Sequence, residues 1–231
     1  MTEDVKLKNT NSKPIIIFPY RGYENNEKNE WYFWWTVDNC RAIDAKPIVM
    51  LPRDTVIRGE ADSFINDERY KTLEVVQTWS VDTCQTWLAG WGHVLDNYPE
   101  AERIVQIPGD LDYVDDDIHF YENLKNFTEN TSTDIIIGDF ETGDDNNSKG
   151  LVDIYGSYPL LENWFVEILE NLKELPLHRV RSEFLNIRTS VLREFLLSNR
   201  SFAYEQTLNF LIKSWNYNET QWKYDISVCP L

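Results

Sequence analysis

The sequence has little positive charge. Lys and Arg together make up 22 of the 231 residues, Asp and Glu make up 39, and the formal net charge is −17. Proteins that bind DNA or RNA take much of their affinity from basic patches that displace counterions from phosphates, and no long Lys/Arg-rich tract is present here. We therefore expect no nucleic-acid partner. A polyanionic ligand would have to meet a local basic pocket or a bridging metal ion.

Cysteine is scarce, and long apolar runs are missing. The three cysteines, Cys40, Cys84 and Cys229, are scattered and form no C-x-x-C pair, which favours reduced thiols in a cytosol over disulfides or a zinc site. No window of about 18 apolar residues predicts a membrane span. Residues 1–13 form a polar tail that lacks the apolar core of a signal peptide. We expect a cytoplasmic chain with one domain over residues 14–231.

The chain is rich in apolar and aromatic residues, which alternate between strand and helix patterns. Its 42% hydrophobic and 14% aromatic content is enough for one sizeable core. Frequent alternation of strands and helices predicts a mostly parallel sheet with helices on both faces. The apolar runs predict strands over residues 13–19, 46–51, 73–79, 104–107 and 133–140.

Helical patterns lie between these strands and after them. The first contains Trp31, Trp34 and Trp35, whose spacing predicts one helix with a bulky aromatic face. Pro99 ends the second. Residues 182–199 pass from a short extended piece into a helix. The predicted helices cover residues 29–43, 81–99, 159–175, the second part of 182–199, and 204–215.

The most acidic stretch of the chain is RIVQIPGDLDYVDDD, residues 103–117. Pro108 and Gly109 end an apolar strand there, and five aspartates follow within eight positions. Like charges at this spacing repel one another, so the stretch is either a solvated acidic turn or a site that meets a cation. Two carboxylates at positions i and i+2 can hold a hard divalent cation through oxygen, with phosphate oxygens as further ligands.

The predicted sheet would gather several polar residues at one edge. Ligands of parallel sheets bind beyond the carboxyl ends of the strands. Tyr20, Arg21, Asp110, Asp112 and Asp139 all follow or end predicted strands. A divalent cation at this edge would neutralise the charge that develops when a bond to a diphosphate leaving group breaks.

The apolar strand followed by D-x-D, VQIPGDLDY, resembles the metal and nucleotide motif of GT-A glycosyltransferases, the nucleotide-diphospho-sugar transferase superfamily. The order IIIFPYRG, PIVMLP, LEVVQT, helix and GDLDY also resembles that family. Downstream, HRVRSEFLNIRTSVLREFL and FAYEQTLNFLI resemble its acceptor-side segments, with mannosylglycerate synthase-like enzymes as the nearest relatives. The resemblance covers about residues 14–215 and implies a three-layer α/β/α, Rossmann-like GT-A fold with a mostly parallel mixed sheet.

The same resemblance implies a function. It predicts metal-dependent transfer of a sugar from a nucleoside-diphosphate sugar to a small-molecule or glycan acceptor, with a homodimer allowed. Asp112 and Asp110 would hold Mg²⁺ or Mn²⁺, and Glu183 and Glu205 would act on the acceptor side as catalytic residues. The residues expected to line the nucleotide-sugar pocket are Pro19, Tyr20, Arg21, Asp110, Leu111 and Asp139.

Several of these residues also have a structural explanation. Arg21 can pair with an acidic neighbour such as Glu24, Glu183 can be an edge-strand charge, and Glu205 can stabilise a helix N-terminus. The family's C-terminal histidine ligand has no obvious equivalent, and His93 fits helix packing better than metal binding. The tryptophans are mostly core residues, although Trp79 and Trp164 lie where a sugar face could stack, and Asp139 is proposed from its location alone.

Three other functions remain open. A sugar-1-phosphate nucleotidyltransferase shares the fold but needs a glycine-rich basic loop after the first strand, where only Gly22 occurs. A non-catalytic GT-A-like binding domain is a second alternative, against which the intact D-x-D counts. The third is a structural calcium loop, and the spacing of the aspartates does not match the twelve-residue EF-hand pattern.

Overall fold

The computed structural model describes residues 13–20, 27–79, 83–109, 117–139, 184–198, 215–216 and 221–230. Seven strands in these residues form one sheet, and two more form a separate antiparallel pair. The strands are β1 Ile15–Pro19, β2 Lys46–Pro52, β3 Glu74–Thr78, β4 Arg103–Gln106, β5 Ile135–Asp139, β6 Leu185–Arg188, β7 Trp215–Asn216, β8 Gln221–Trp222 and β9 Ile226–Pro230. The helices are α1 Glu27–Ala42, α2 Arg53–Ile57, α3 Asp62–Asn66, a 3-10 turn Glu68–Thr72, α4 Thr83–Asn97, α5 Asp117–Glu129 and α6 Thr189–Ser198.

The large sheet has the order β3-β2-β1-β4-β6-β5-β9. Strand β6 runs antiparallel to both of its neighbours, β4 and β5, and every other pair in the sheet is parallel. Six strands therefore end at one edge of the sheet, which we call the carboxyl edge, and β6 begins there. The opposite edge, where these six strands begin and β6 ends, is the amino edge. The predicted mostly parallel mixed sheet is confirmed.

Alternating residues of each strand build a core on each face of the sheet. Ile16 and Phe18 pack with the helices α1, α3 and α5 on one face, and Ile15 and Ile17 pack with α4 and α6 on the other. Because strand side chains alternate between faces, a strand covered on both sides is apolar along its whole length. This explains the run IIIFP of β1, in which every residue is buried.

The first helix buries a different stripe from the one expected. Phe33, Trp34, Val37 and Cys40 are buried, a spacing of three to four residues that matches one helix face. Trp31 is 53% exposed, so the aromatic face predicted from the tryptophan spacing is only partly a core face. Among the described helices, none combines the length and the apolar character that crossing a membrane requires.

Helix α5 and the strands β7, β8 and β9 of the described chain were not predicted. Helix α5 follows the acidic stretch, and strand β9 pairs in parallel with β5 at the end of the sheet. The predicted helix over 159–175 and most of the one over 204–215 lie outside the described residues. The predicted passage from an extended piece into a helix near residue 189 is confirmed by β6 and α6.

Candidate functional site at the carboxyl edge

Four neighbouring strands bring Pro19, Asp139 and the residues next to D-x-D and Glu183 to the carboxyl edge. Ile17 lies beside Gln106, Gln106 beside Leu185, and Leu185 beside Ile137, so the ends of β1, β4 and β5 are level with the start of β6. Neighbouring strands are about 4.8 Å apart, and the four together span roughly 15 Å. That width suits a ligand larger than a single sugar ring.

Close contact of the main chain joins the ends of β1 and β4. Ile107 donates its N–H to the Ile17 carbonyl at 3.1 Å. Two residues later, a Cβ atom placed on Gly109 would lie 3.0 Å from the carbonyl carbon of Pro19 and closer still to its oxygen. Only glycine allows two backbones to approach in this way. The chain that leads into D-x-D therefore passes directly against the end of β1.

Tyr20 is a core residue. Its ring is fully buried, is stacked on Phe64 with a centroid distance of 4.4 Å, and meets the Phe33 ring edge to face at 5.2 Å. Its N–H donates to the Met50 carbonyl at 2.9 Å. The aromatic ring is committed to this packing, so the predicted nucleotide contact by Tyr20 would have to come from its main chain.

Asp139 ends β5 at the same edge, and its main chain is held on both sides. It lies beside Pro230 of β9, and the preceding Gly138 donates its N–H to the Phe184 carbonyl at 3.0 Å. This bond also fixes Phe184, the residue just before β6. The structure thus places Pro19, Tyr20 and the backbone of Asp139 at one edge, and their roles as ligand contacts stay predictions.

The remaining predicted site residues lie outside the described part of the chain. They are Arg21, Asp110, Leu111, Asp112, Glu183 and Glu205. Among the residues that are described, no group of three or more His, Cys, Asp or Glu side chains is arranged to hold a metal ion. A metal site on Asp110 and Asp112 therefore stays a prediction, supported by the oxygen donors of the sequence and by the position of Gly109.

Three long helices begin on the side of the carboxyl edge, because α1, α4 and α5 follow β1, β3 and β4. A helix N-terminus carries partial positive charge and unsatisfied N–H groups, which stabilise anions such as phosphates.

Arg53 and Trp79 form a polar and aromatic pair at this edge. Arg53 begins α2 immediately after β2, and Trp79 immediately follows β3. The guanidinium carbon of Arg53 lies 5.4 Å from the centre of the Trp79 ring, which is 77% exposed. The sequence drew attention to Trp79, but Arg53 was missed within a charged segment. The signal for Arg53 was its position directly after a buried strand.

His93 takes part in a structural network at the amino edge. Its Nε2 lies 2.6 Å from Oε1 of Glu74, and the hydroxyl of Tyr98 donates to Oε2 of the same carboxylate at 2.5 Å. Lys46 pairs with Glu74 at 2.5 Å. Burial raises the pKa of Glu74, but its bonds to Lys46, Tyr98 and His93 outweigh burial and lower that pKa to about 2. His93 therefore helps to hold α4 on the sheet, as its position in a helix suggested.

A scan against protein-family models and a sequence search of curated proteins give no match. Comparison with solved structures does give matches. Glucosyl-3-phosphoglycerate synthase from Mycobacterium tuberculosis, in complex with Mn²⁺, UDP and phosphoglyceric acid, superposes with a TM-score of 0.55 at 13% identity, covering 95% of this chain and 69% of that one. The chain therefore has the GT-A fold.

Other structures of the same synthase agree with this result. The complex with Mn²⁺, UDP-glucose and phosphoglyceric acid has a TM-score of 0.55 at 13% identity and covers 95% of this chain and 70% of that one. A further structure, described without ligands, has a TM-score of 0.53 at 11% identity and covers 96% and 71%. The predicted three-layer GT-A fold is confirmed. The nearer resemblance to mannosylglycerate synthase-like enzymes stays a prediction.

Proposed function

We propose that this protein transfers a sugar from a nucleoside-diphosphate sugar to a small-molecule or glycan acceptor with the help of a divalent cation. The observation that carries the proposal is the contact between Gly109 and Pro19, which brings the chain entering D-x-D against the end of β1. In this GT-A fold, the same edge also receives the N-terminal sides of α1, α4 and α5.

Asp110 and Asp112 are the residues that would hold the metal ion. Mg²⁺ and Mn²⁺ prefer oxygen ligands, and two carboxylates leave room for diphosphate oxygens. When bound, the cation would neutralise the negative charge of the leaving nucleoside diphosphate. The synthase matched above was crystallised with Mn²⁺ and UDP, which supports this assignment.

The nucleotide side of the site would extend from β1 over β2 and β3. Pro19, Tyr20, Arg21, Leu111 and Asp139 remain the candidates from the sequence, with Tyr20 contributing its main chain. The exposed Trp79 ring offers a flat apolar surface for a nucleobase, and base stacking on an aromatic ring contributes about 1–3 kcal/mol. Arg53 covers part of that ring and supplies positive charge for a phosphate.

The acceptor side would lie across β6 and β5. Glu183 precedes Phe184, whose carbonyl is bonded to Gly138 at this edge. Carboxylates accept hydrogen bonds from hydroxyl groups of a sugar or a hydroxy acid. We assign Glu183 and Glu205 to this side. An acceptor with its own phosphate or carboxylate, as in the phosphoglycerate-bound neighbour, is one class to test first.

Calorimetry with UDP-, GDP- and ADP-sugars, each with Mn²⁺ and with EDTA, tests the donor half of the proposal. We expect one nucleotide class to bind at least about tenfold more tightly with Mn²⁺, and Asp112→Asn to remove that gain without unfolding the protein. Asp96→Asn is the matched control, because Asp96 is an exposed residue near the end of α4 and loses the same charge far from the site. It should bind like the wild type.

Transfer itself is measured as acceptor-dependent release of nucleoside diphosphate, with hydroxy acids, phosphorylated hydroxy acids and oligosaccharides as acceptors. Equal nucleotide-sugar affinity in Mn²⁺ and EDTA contradicts the metal role. Release of inorganic diphosphate from a nucleoside triphosphate and a sugar 1-phosphate identifies a nucleotidyltransferase instead. Metal-dependent donor binding without transfer to any acceptor class favours a non-catalytic binding domain.

A further inference from the structure

Two arginines lie side by side at the amino edge of the sheet, on the opposite side from the candidate site. Arg103 is the first residue of β4 and Arg188 is the last residue of β6, and the antiparallel register pairs them directly. Like charges in directly opposite positions destabilise a pair of strands. In a chain with a formal net charge of −17, such a pairing needs a reason.

The hydrogen bonds of Arg103 go to neutral acceptors. Its Nε donates to the Asn186 side chain at 2.6 Å, and its terminal nitrogens donate to the carbonyls of Thr133 at 2.8 Å, Asn186 at 3.0 Å and Asp134 at 3.2 Å. These bonds fasten the loop after α5 and fix the guanidinium. Burial, together with the neighbouring Arg188, lowers the pKa of Arg103 to about 10, which leaves it charged at neutral pH.

Arg188 has donors to spare. Its Nε lies 3.1 Å from Oδ1 of Asp134, the side chain is about half exposed, and its two terminal nitrogens form no hydrogen bond with another described residue. The side chain lines a cavity of about 460 Å³ at the amino edge. The first two residues of α6, a ten-residue helix, also line the cavity. Its lining residues are Glu102, Arg103, Thr131, Arg188, Thr189 and Ser190.

A second cavity of about 230 Å³ shares Glu102, Arg103 and Thr131 with the first. Thr128 of α5 lines it, is only 4% exposed, and has a hydroxyl without a hydrogen-bond partner among the described residues. The two cavities share part of their lining, and Arg103 lines both of them, whereas the Thr128 hydroxyl is buried beneath the surface of the smaller one.

We propose that the cavity between Arg103 and Arg188 binds the phosphate group of a small molecule. The two terminal nitrogens of Arg188 match two phosphate oxygens, a geometry that arginine provides and lysine does not. Ser190 lines the cavity at the N-terminus of α6 and offers its hydroxyl, whereas the N–H of Thr189 already donates to the Glu102 carbonyl at 2.9 Å. The carboxylates of Glu102 and Glu129 also line these cavities. They repel negative charge, so they favour a ligand with one phosphate group over a more highly charged one.

The position of this site makes its ligand an effector and not a donor or acceptor. Strand β4 begins at the cavity and leads to Gly109 at the carboxyl edge. Strand β6 begins after Phe184 at the carboxyl edge and ends at the cavity. Four-residue strands are about 13 Å long, so one ligand does not occupy both places. Asp134 already offsets part of the charge of the arginine pair, and a bound phosphate would add to this effect and stabilise the register of the two strands that carry the candidate site.

Calorimetry with inorganic phosphate and with glycerol 3-phosphate tests the proposal, in EDTA and at constant ionic strength so that metal-dependent binding does not contribute. We expect saturable one-site binding, weakened about tenfold or more in Arg188→Gln. Arg188→Lys keeps a positive charge beside Asp134 but loses the two terminal guanidinium nitrogens that would bind two phosphate oxygens. It should also weaken binding several-fold. Arg58→Gln, which removes an exposed arginine paired with Glu60 at 2.8 Å, is the matched control and should bind like the wild type.

Circular dichroism shows whether each variant is folded. If Arg188→Gln does not fold, the comparison of the wild type with Arg188→Lys still tests the proposal. Tighter binding of glycerol 3-phosphate supports a phosphate ester as the natural ligand, and equal binding of both probes supports inorganic phosphate. Absence of binding by the wild type up to about 10 mM overturns the proposal. So does equal binding by the wild type and both Arg188 variants.

Discussion

Gly109 leaves no space for a side chain against Pro19, because a Cβ at residue 109 would lie 3.0 Å from the Pro19 carbonyl carbon and closer to its oxygen. The neighbour in question is main chain, which cannot rotate away as a side chain can. This single contact fixes how closely Gly109, the residue before D-x-D, approaches the end of β1. It gives the GD pair of GDLDY a physical meaning that the acidic residues alone do not provide.

Gly109→Ala should therefore destabilise the protein. One of the two backbones must move, and overpacking of this kind costs about 1–3 kcal/mol in the free energy of unfolding. The same movement should weaken nucleotide binding, because it displaces the chain that leads to Asp110. Urea unfolding and nucleotide calorimetry on the same variant measure both effects.

Gly92→Ala is the control for this prediction. A Cβ at Gly92 meets nothing within 4 Å, and the residue lies inside α4. Alanine is the better helix former, so this variant should be more stable by roughly 0.5–1 kcal/mol and bind nucleotide normally. If the two alanine variants behave alike, the contact with Pro19 does not constrain the site.

Glu74→Gln should lower the free energy of unfolding, because Glu74 joins β2, β3 and α4 at the amino edge of the sheet. The carboxylate accepts hydrogen bonds from His93 and Tyr98 and pairs with Lys46. A hydrogen bond to a charged group contributes about 1.5–3 kcal/mol to the free energy of unfolding. We expect a loss of about 1–2 kcal/mol at pH 7, measured by urea unfolding. Glu68→Gln, which removes an exposed pair with Lys71, should cost under about 0.5 kcal/mol.

The effect of Glu74→Gln should depend on pH in a defined direction. The pKa of Glu74 is lowered to about 2 in the folded protein, below its ordinary value of 4.5. Its ionised form thus favours folding, and this contribution is complete above pH 4.5 and declines as the pH falls towards 2. The difference in stability between wild type and variant should shrink over that window. A difference that is constant from pH 7 to pH 3 would show that the charge is not responsible.

Trp79→Ala should weaken donor binding with little effect on stability. The ring is 77% exposed, so the fold gains little from it, whereas loss of base stacking reduces affinity by about tenfold. Trp31→Ala is the matched control, because Trp31 is also exposed but lies on α1 and stacks on Trp35. Calorimetry with the best nucleotide sugar compares the two. Equal losses would remove Trp79 from the nucleotide side.

Glu205→Gln should reduce transfer and leave donor affinity near normal. A contact that is made only with the acceptor in the transition state is expected to contribute about 1.4 kcal/mol, or about tenfold in rate. Steady-state kinetics with the identified acceptor and calorimetry with the donor separate these two quantities. A parallel loss of donor affinity, or an unchanged rate of transfer, would place Glu205 outside the acceptor side.

The local sequence was sufficient for the first five strands and for the fold class. Each of these strands is a short apolar run, and β1 is buried along its whole length. The order of the strands could not be predicted from such runs. Strand β6 lies between β4 and β5, and nothing in its residues LNIR states which strands it pairs with. The resemblance to GT-A enzymes supplied the mixed sheet that the apolar pattern alone did not.

The misses have physical causes. Helix α5 buries Phe120, Leu124 and Phe127, whose spacing is helical. The helix was not predicted because it follows directly on the acidic stretch. Strand β9, ISVCP, begins directly after a polar segment, and Ser227 interrupts its apolar run. The burial of Tyr20 was not predictable from its place after β1, because the core that receives its ring is completed by Phe64 from a distant helix.

The reversed strand β6 also affects how the protein folds. Arg103 pairs with Arg188 across 85 positions of sequence, so β4 and β5 acquire their shared partner only after residues 185–188 have been made. Until then each of these strands exposes an unpaired edge, a template for pairing with another chain. Contacts of such long range form slowly. A nascent or truncated chain that stops short of residue 185 is therefore expected to aggregate, and the complete chain to depend on late insertion of one four-residue strand.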